Sequence, residues 1–399
     1  MGSISRLVGL VVTLFSLTGC IGLISPAVPE PEAHGTYAVG VTTMTVQDAS
    51  RDRELPVEVW YPAASAPSGS DDDPVIYSVR AIGGTVARLR SPLGAHRDVD
   101  AKKDGGPYPV VLLSHGAGST RLGNVTLSEV LASHGYIVAA PDHPGHTIDD
   151  QVLGISDTQR AQAMLDRPLD LSRVLDALAQ RSRDPRFVLG GLVDMDRVAV
   201  AGHSFGSAAA LALVGARFDA PRQEKECEKD DDDRRCAMVD ILGPEPYRYR
   251  DPRISAAILI SPAGFDLYRA DGIGWVDAPT LVVGAVRDET NKYSEYAKPT
   301  YDALKSPHYL LRLRDAGHLT ATDVCEIGDS IGFMSKTFGG KKAVDGCGGP
   351  EEGFISSRVA NDLAARAALA FLDVHLNHDT SAEQALQIEL TPTVDSIQP

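Results

Sequence analysis

The sequence predicts an α/β protein built on a mostly parallel, doubly wound sheet with antiparallel strands at its start. Three observations carry this: two early segments alternate apolar and polar residues, six short apolar runs follow, and helical stretches separate those runs. Tyr37 to Val46 and Leu55 to Tyr61 alternate as half-exposed antiparallel strands do. The buried runs are Val110 to Leu113, Tyr136 to Ala140, Val198 to Ala201, Ala256 to Ile260, Thr280 to Val283 and Tyr309 to Leu313. A strand covered on both faces reads as continuous apolar sequence, which is what parallel sheets require. Helical stretches lie near Asn124 to Ser133, Asp166 to Gln180, Ser207 to Val214, Tyr293 to Leu304 and Ser357 to Leu376. Strands and helices in alternation place helices on both faces. Three polar excursions, 63–107, 217–253 and 321–356, interrupt the domain at 37–376, and 377–399 reads as a tail.

The 399 residues carry 54 carboxylates against 38 Lys and Arg, a formal net charge of -16. Such a surface repels phosphate backbones, so nucleic acid is excluded as a partner. The clusters Asp71 to Asp73 and Asp230 to Asp233 read as solvated loops, since adjacent carboxylates cannot be buried unpaired and the ligand spacing of a calcium loop is missing.

At the N-terminus Arg6 precedes an apolar run from Leu7 to Leu17, too short to span a bilayer, followed by Leu17-Thr18-Gly19-Cys20. The cysteine after small residues resembles the bacterial lipobox. That resemblance implies a signal peptide at 1–19, a diacylglycerol on Cys20, a tether over 20–36 with prolines 26, 29 and 31, and a lipid-anchored place in the cell envelope. Export leaves Cys227, Cys236, Cys325 and Cys347, an even number that suggests two disulfides. Of three possible pairings the local one, Cys227 with Cys236 and Cys325 with Cys347, is the most economical, because each pair brackets a polar stretch. A zinc site has no paired C-x-x-C or histidine cluster to support it.

The chemistry centres on Gly202-His203-Ser204-Phe205-Gly206, between the strand ending at Ala201 and an alanine-rich helix. In that context G-x-S-x-G forms a bend so tight that the serine is strained and its hydroxyl is pushed out at the sheet's C-terminal edge. A serine needs a base, and the base needs an orienting acid. Of 11 histidines, His318 sits in a loop directly after the strand Tyr309 to Leu313, at the edge where Ser204 emerges. His308, His375 and His378 fall on a strand start or the final helix. Asp288, after the strand Thr280 to Val283, is the expected acid; Asp266 is its rival, and Asp315 is too near His318 along the chain. The oxyanion needs backbone donors. Phe205, immediately after the nucleophile, supplies one, and Ala117 in Ser114-His115-Gly116-Ala117-Gly118 is the candidate for the second. Asp142-His143-Pro144-Gly145-His146 offers two histidines without a third ligand, so it reads as a turn lining the cleft rather than a metal site.

These segments, with Leu55-Pro56-Val57-Glu58-Val59-Trp60-Tyr61-Pro62, His134 to His143, and Ala316-Gly317-His318 followed by Cys325, resemble the α/β-hydrolases, specifically the dienelactone hydrolase-like and platelet-activating-factor acetylhydrolase-like groups. The resemblance implies the α/β-hydrolase fold and a serine esterase with no metal or organic cofactor, acting on carboxylic esters with modest acyl groups. In the acetylhydrolases the acid follows the strand equivalent to Ala256 to Ile260, where this chain reads Ser261-Pro262-Ala263-Gly264. Dienelactone hydrolases use a cysteine where this chain has Ser204. The expectation is therefore a membrane-tethered Ser-His-Asp ester hydrolase for a small or lipid-like ester. Its rivals are a lipase or polyester hydrolase with 217–253 as a lid, and a binding lipoprotein that has lost catalysis.

Overall fold

The computed structural model describes residues 33–66, 73–229, 236–242, 249–331, 345–387 and 394–398. The stretch expected to be a signal peptide, Cys20, the Asp71-Asp72 pair and the Asp230 to Asp233 cluster lie outside them. A ten-stranded sheet runs, edge to edge, through β12 (Val394–Gln398), β11 (His308–Leu313), β10 (Thr280–Ala285), β9 (Ile254–Ile260), β8 (Val193–His203), β6 (Tyr108–Ser114), β7 (Ile137–Pro141), β2 (Arg53–Ala63), β1 (Ala38–Asp48) and β5 (His96–Arg97). Its parallel centre is formed by β6, β7, β8, β9, β10 and β11. β1 and β2 form the antiparallel entry, with β2 also antiparallel to β7 and the short β5 parallel to β1. The expected tail is more than that. Its last segment, β12 (Val394–Gln398), adds antiparallel to β11 at the far edge.

Two apolar layers sandwich the sheet, one on each face, as continuous runs such as Val110 to Leu113 demand: alternate side chains enter opposite layers and both are buried. One face carries α1 (Val125–Ser133) and α10 (Ser357–His375); the other carries α3 (Asp157–Arg181) and α4 (Phe205–Leu213). The helix expected from Asp166 begins nine residues earlier. Ser156 caps it and Gln159 closes a capping box, a signal present in the sequence.

The excursions are partly ordered by local structure. The first folds into a hairpin, β3 (Ile76–Ala81) with β4 (Gly84–Arg90), whose Tyr77, Val79, Ala87 and Leu89 join the core. The short helix α2 (Ile148–Leu153) follows the His143–His146 turn and reaches the hairpin tip, where Asp149 accepts the Ile82 amide at 2.7 Å. In the second, α5 (Ala220–Cys227) and α6 (Cys236–Leu242) are joined by the Cys227–Cys236 disulfide. In the third, α9 (Val324–Ile331) is tied back by Cys325–Cys347. Both local pairings are formed, as the bracketing of polar stretches predicts. The remaining α-helices among the described residues are α7 (Phe265–Ile273) and α8 (Ala297–Ala303), the latter shorter than the Tyr293 to Leu304 stretch expected.

Candidate active site

Ser204 sits between β8 and α4 at φ 52°, ψ -120°, a backbone geometry that side chains other than glycine rarely adopt. The two glycines of the motif make the bend possible. A Cβ at Gly202 would stand 2.2 Å from the Gly206 carbonyl, and one at Gly206 would stand 2.0 Å from the Ser114 carbonyl oxygen. Main-chain bonds then clamp the bend onto the next strand: Ser204 N donates to Ile260 O at 2.9 Å, and Ala263 N to Ser204 O at 3.2 Å.

His318 lies on the loop after β11 and Asp288 on the loop after β10, so parallel neighbours deliver base and acid to the same sheet edge. His318 Nδ1 donates to Asp288 Oδ2 at 2.8 Å, both side chains almost wholly buried. The other Asp288 oxygen accepts from the Thr290 and Asn291 amides at 2.9 and 2.6 Å. Burial pushes the Asp288 carboxyl above the ordinary range, opposed by its bonds to His318 and to the Asn291 amide. Asp266 lies in the first turn of α7 and is not the partner of the imidazole.

No hydrogen bond joins Ser204 Oγ to the His318 ring in this structure; Oγ lies instead 3.5 Å from Asn291 Nδ2. Catalytic contacts are often long before substrate binds. Asn291 also donates to Ser261 O at 3.3 Å, linking the acid loop to the nucleophile's neighbour strand. The His203 ring packs on the His318 ring with centroids 4.9 Å apart, and His203 Nε2 donates to the His318 carbonyl at 3.0 Å. Burial, and then the charge His318 would carry, push His203 down to about 3, so it stays a neutral donor. Sequence reasoning missed both Asn291 and His203, though His203 occupies the variable position inside the motif itself.

A further missed residue is Asp345. Its Oδ2 accepts from Glu289 N at 2.8 Å and from Thr290 N and Oγ1 at 3.0 Å, and its carbonyl accepts from Leu319 N at 2.9 Å. One residue of the third excursion thus holds the acid loop and the base loop together, two positions from the Cys347 disulfide.

The sequence places the expected oxyanion donors at the Phe205 and Ala117 amides. Phe205 is the first residue of α4, where an amide has no partner within the helix. Neither its N–H nor that of Ala117 has a backbone acceptor among the described residues. A small, mostly apolar cleft lined by Phe205, Ala208, Phe218, Met238 and Tyr268, with Arg167 also in its wall, adjoins this point, and α6 of the second excursion supplies Met238.

The turn at 142–146 serves the interior. His143 Nδ1 meets Asp170 at 3.0 Å and its Nε2 meets Ser114 Oγ at 2.9 Å, while His146 Nδ1 accepts from Arg167 at 2.9 Å. Burial, reinforced by the Arg167 charge, holds both rings far below the ordinary histidine range and so neutral. No helix among the described residues is long and apolar enough to cross a membrane.

Residues 110–335 match the alpha/beta hydrolase family, and residues 23–150 match platelet-activating factor acetylhydrolase, isoform II. A platelet-activating factor acetylhydrolase of Cavia porcellus is 22% identical over 409 residues, covering 89% of this chain and 79% of that one. A cutinase of Thermobifida alba is 24% identical over 206 residues, about half of each chain. Among solved structures, a ferulic acid esterase from Streptomyces cinnamoneus superposes with a TM-score of 0.64 at 25% identity, covering 92% of this chain and 99% of that one.

Proposed function

The chain belongs to the alpha/beta hydrolase family and is an ester hydrolase, and from that premise we propose a Ser204-His318-Asp288 mechanism on short- to medium-chain carboxylic esters. The observation that carries the proposal is the 2.8 Å bond from His318 Nδ1 to Asp288, which leaves Nε2 without that hydrogen on a loop at the sheet edge where Ser204 sits on its strained bend. Ser204 Oγ attacks the ester carbonyl as His318 Nε2 takes its proton. The carbonyl electrons move onto oxygen, where the amides of Phe205 and Ala117 hold the charge. When the tetrahedral centre collapses, the C–O bond to the alcohol breaks and His318 protonates that oxygen. Water then attacks the acyl-enzyme with its proton passing to His318, and the acid leaves as Ser204 recovers its hydrogen.

Two-step chemistry gives a burst with an activated ester and stoichiometric labelling by a fluorophosphonate. Ser204→Ala is expected to abolish both, and a variant that still labels and turns over overturns the mechanism. The place of Met238, from the second excursion, in the wall of the cleft favours one alternative, a lipase with a lid. An ester series from acetate to palmitate separates the two: a short-chain esterase loses rate with length, whereas a lidded lipase gains rate once substrate aggregates.

We also propose export and acylation at Cys20, on the pattern Leu17-Thr18-Gly19-Cys20. Labelled palmitate fed to producing cells is expected in the wild-type chain and absent from Cys20→Ala; equal labelling in both refutes it.

A further inference from the structure

Arg167 is 1% exposed, yet none of its hydrogen bonds goes to a carboxylate and it forms no ion pair among the described residues. Burying a guanidinium is expensive unless its donors are met. Here they are met by neutral acceptors: Nε by His146 Nδ1 at 2.9 Å, Nη1 by Ser114 Oγ at 3.2 Å and by the His115 carbonyl, and Nη2 by the Gly116 carbonyl at 3.2 Å. Two of these four acceptors belong to the loop that carries Ala117, and a third, Ser114, ends the strand that leads into it.

Resting on the serine-esterase reading, we propose that Arg167 is a positioning residue of the oxyanion hole, whose guanidinium aims and polarises the Gly116–Ala117 peptide from its buried side. The Gly116 carbonyl and the Ala117 amide are two ends of one planar trans peptide, so they point in opposite directions. A donor that fixes the carbonyl on one side of the peptide plane's axis fixes the N–H on the opposite side. Donation to the carbonyl oxygen also draws electron density along the peptide and strengthens its N–H as a donor. The Gly116 oxygen takes a second donor, His115 Nδ1 at 2.6 Å, whose tautomer is set because its Nε2 accepts the His143 amide at 3.2 Å. One carbonyl held by two side chains behind a proposed oxyanion donor is more than loop closure requires.

The surrounding chain keeps Arg167 in place and charged. Arg167 donates to Ser114 Oγ, Ser114 can donate to His143 Nε2, and His143 Nδ1–H donates to Asp170. Arg53 holds Asp170 with two bonds, at 2.9 and 2.7 Å. Burial pushes the Arg167 guanidinium down to about 9, which still leaves it cationic at neutral pH.

Arg167→Met removes the charge and every bond. Arg167→Lys keeps the charge opposite Asp170 but lacks the fork that reaches two carbonyls at once. Loss of a whole oxyanion donor costs about 10²–10³ in kcat, so misaiming one is expected to cost roughly 10–10² in the Met variant and less in the Lys variant. The readouts are pre-steady-state burst amplitude and rate with p-nitrophenyl acetate, KM, the Ki of a trifluoromethyl ketone that forms a tetrahedral adduct, and Tm. The expected result is full burst amplitude, a slowed burst, KM within threefold, and a Ki weakened in proportion to kcat. Unchanged kcat and Ki in folded variants overturn the proposal. So does a rate loss matched by lost burst amplitude, which means fewer intact molecules rather than a weaker hole. Failure of both variants to fold overturns it as well, by making the guanidinium a requirement of the fold. A wild-type enzyme without a burst or fluorophosphonate labelling instead defeats the esterase mechanism itself, whatever the Arg167 variants do.

Discussion

Asp288→Asn changes the site where its geometry dictates the outcome. The two carboxylate oxygens have separate partners: Oδ1 accepts the Thr290 and Asn291 amides at 2.9 and 2.6 Å, and Oδ2 accepts the His318 Nδ1 hydrogen at 2.8 Å. An amide side chain has only one oxygen. Two main-chain donors claim it, since the reverse orientation would set an NH2 group against two N–H groups. The NH2 must then face the imidazole, so Nδ1 becomes an acceptor and the ring hydrogen moves to Nε2, which can no longer take the Ser204 proton. The wrong tautomer in such a triad costs about 10⁴ in kcat, or roughly 5 kcal/mol of transition-state stabilisation. The loop bonds survive on the remaining oxygen, so unfolding free energy should move by no more than about 1 kcal/mol. Stopped-flow hydrolysis of p-nitrophenyl acetate measures the acylation rate, and urea unfolding measures the stability. A variant within tenfold of wild type, with wild-type stability, refutes the assignment; Asp266→Asn, run in parallel, should then show the loss.

Three further outcomes follow from the contacts. Gly206→Ala places a Cβ 2.0 Å from the Ser114 carbonyl oxygen, so we expect a loss of about 1–3 kcal/mol in urea unfolding together with fluorophosphonate labelling slowed at least tenfold. Asp345→Ala leaves the Glu289 amide without its acceptor and the Thr290 amide with Asp288 alone, a loss of about 1–3 kcal/mol in all, and should lower kcat more than tenfold in steady-state assays as the acid loop loosens. Glu129, fully buried on α1, accepts from Tyr77, Ser91 and Leu93, yet burial pushes its carboxyl up to about 7. Between about pH 4.5 and 7 the unfolded chain releases that proton while the folded one keeps it, so stability falls with rising pH by roughly 3 kcal/mol and is level above 7. In Glu129→Gln that slope should vanish from urea titrations taken across the window; an undiminished slope places the proton elsewhere.

The frame and the candidate triad were legible because they depend on short-range pattern. A run such as Val110 to Leu113 has one comfortable home, a strand covered on both faces, and Gly202 and Gly206 flank a serine at the spacing a tight bend requires. Once the strands are ordered, the loops carrying Asp288 and His318 must emerge at the same edge as Ser204. The residues that escaped notice act through partners far away in sequence. Arg167 and Asp345 look like ordinary surface charges in a polar helix and a polar loop. Only the fold reveals that one is surrounded by carbonyls 51 and 52 positions earlier and the other by amides 55 and 56 positions earlier. The hairpin β3–β4 was missed for a different reason. Its alternation of Tyr77, Val79 and Ala81 was present, but the Gly, Pro and Asp around it mark the segment as loop.

The parallel strands bring three loops to one edge but do little to hold them there, because a loop leaving a strand end has lost its ladder partners. What holds them is supplied from outside the sheet. Asp345, beside a disulfide, pins the acid loop and the backbone next to His318; His203 pins the His318 carbonyl; Arg167 pins the loop of Ala117. The same excursion that supplies Asp345 also anchors α1, where Asp323 accepts the Thr126 amide at 2.8 Å, and the hairpin anchors that helix again through Tyr77 and Glu129. The excursions therefore share in setting the site's geometry, which gives a physical reason for stapling them. Closing the chain over 22 residues by Cys325–Cys347 lowers the entropy cost of ordering Asp345 against the candidate acid loop by about 3 kcal/mol. In an enzyme whose rate depends on that alignment, rigidity of the third excursion and rate of acylation should fall together when the Cys325–Cys347 support is weakened.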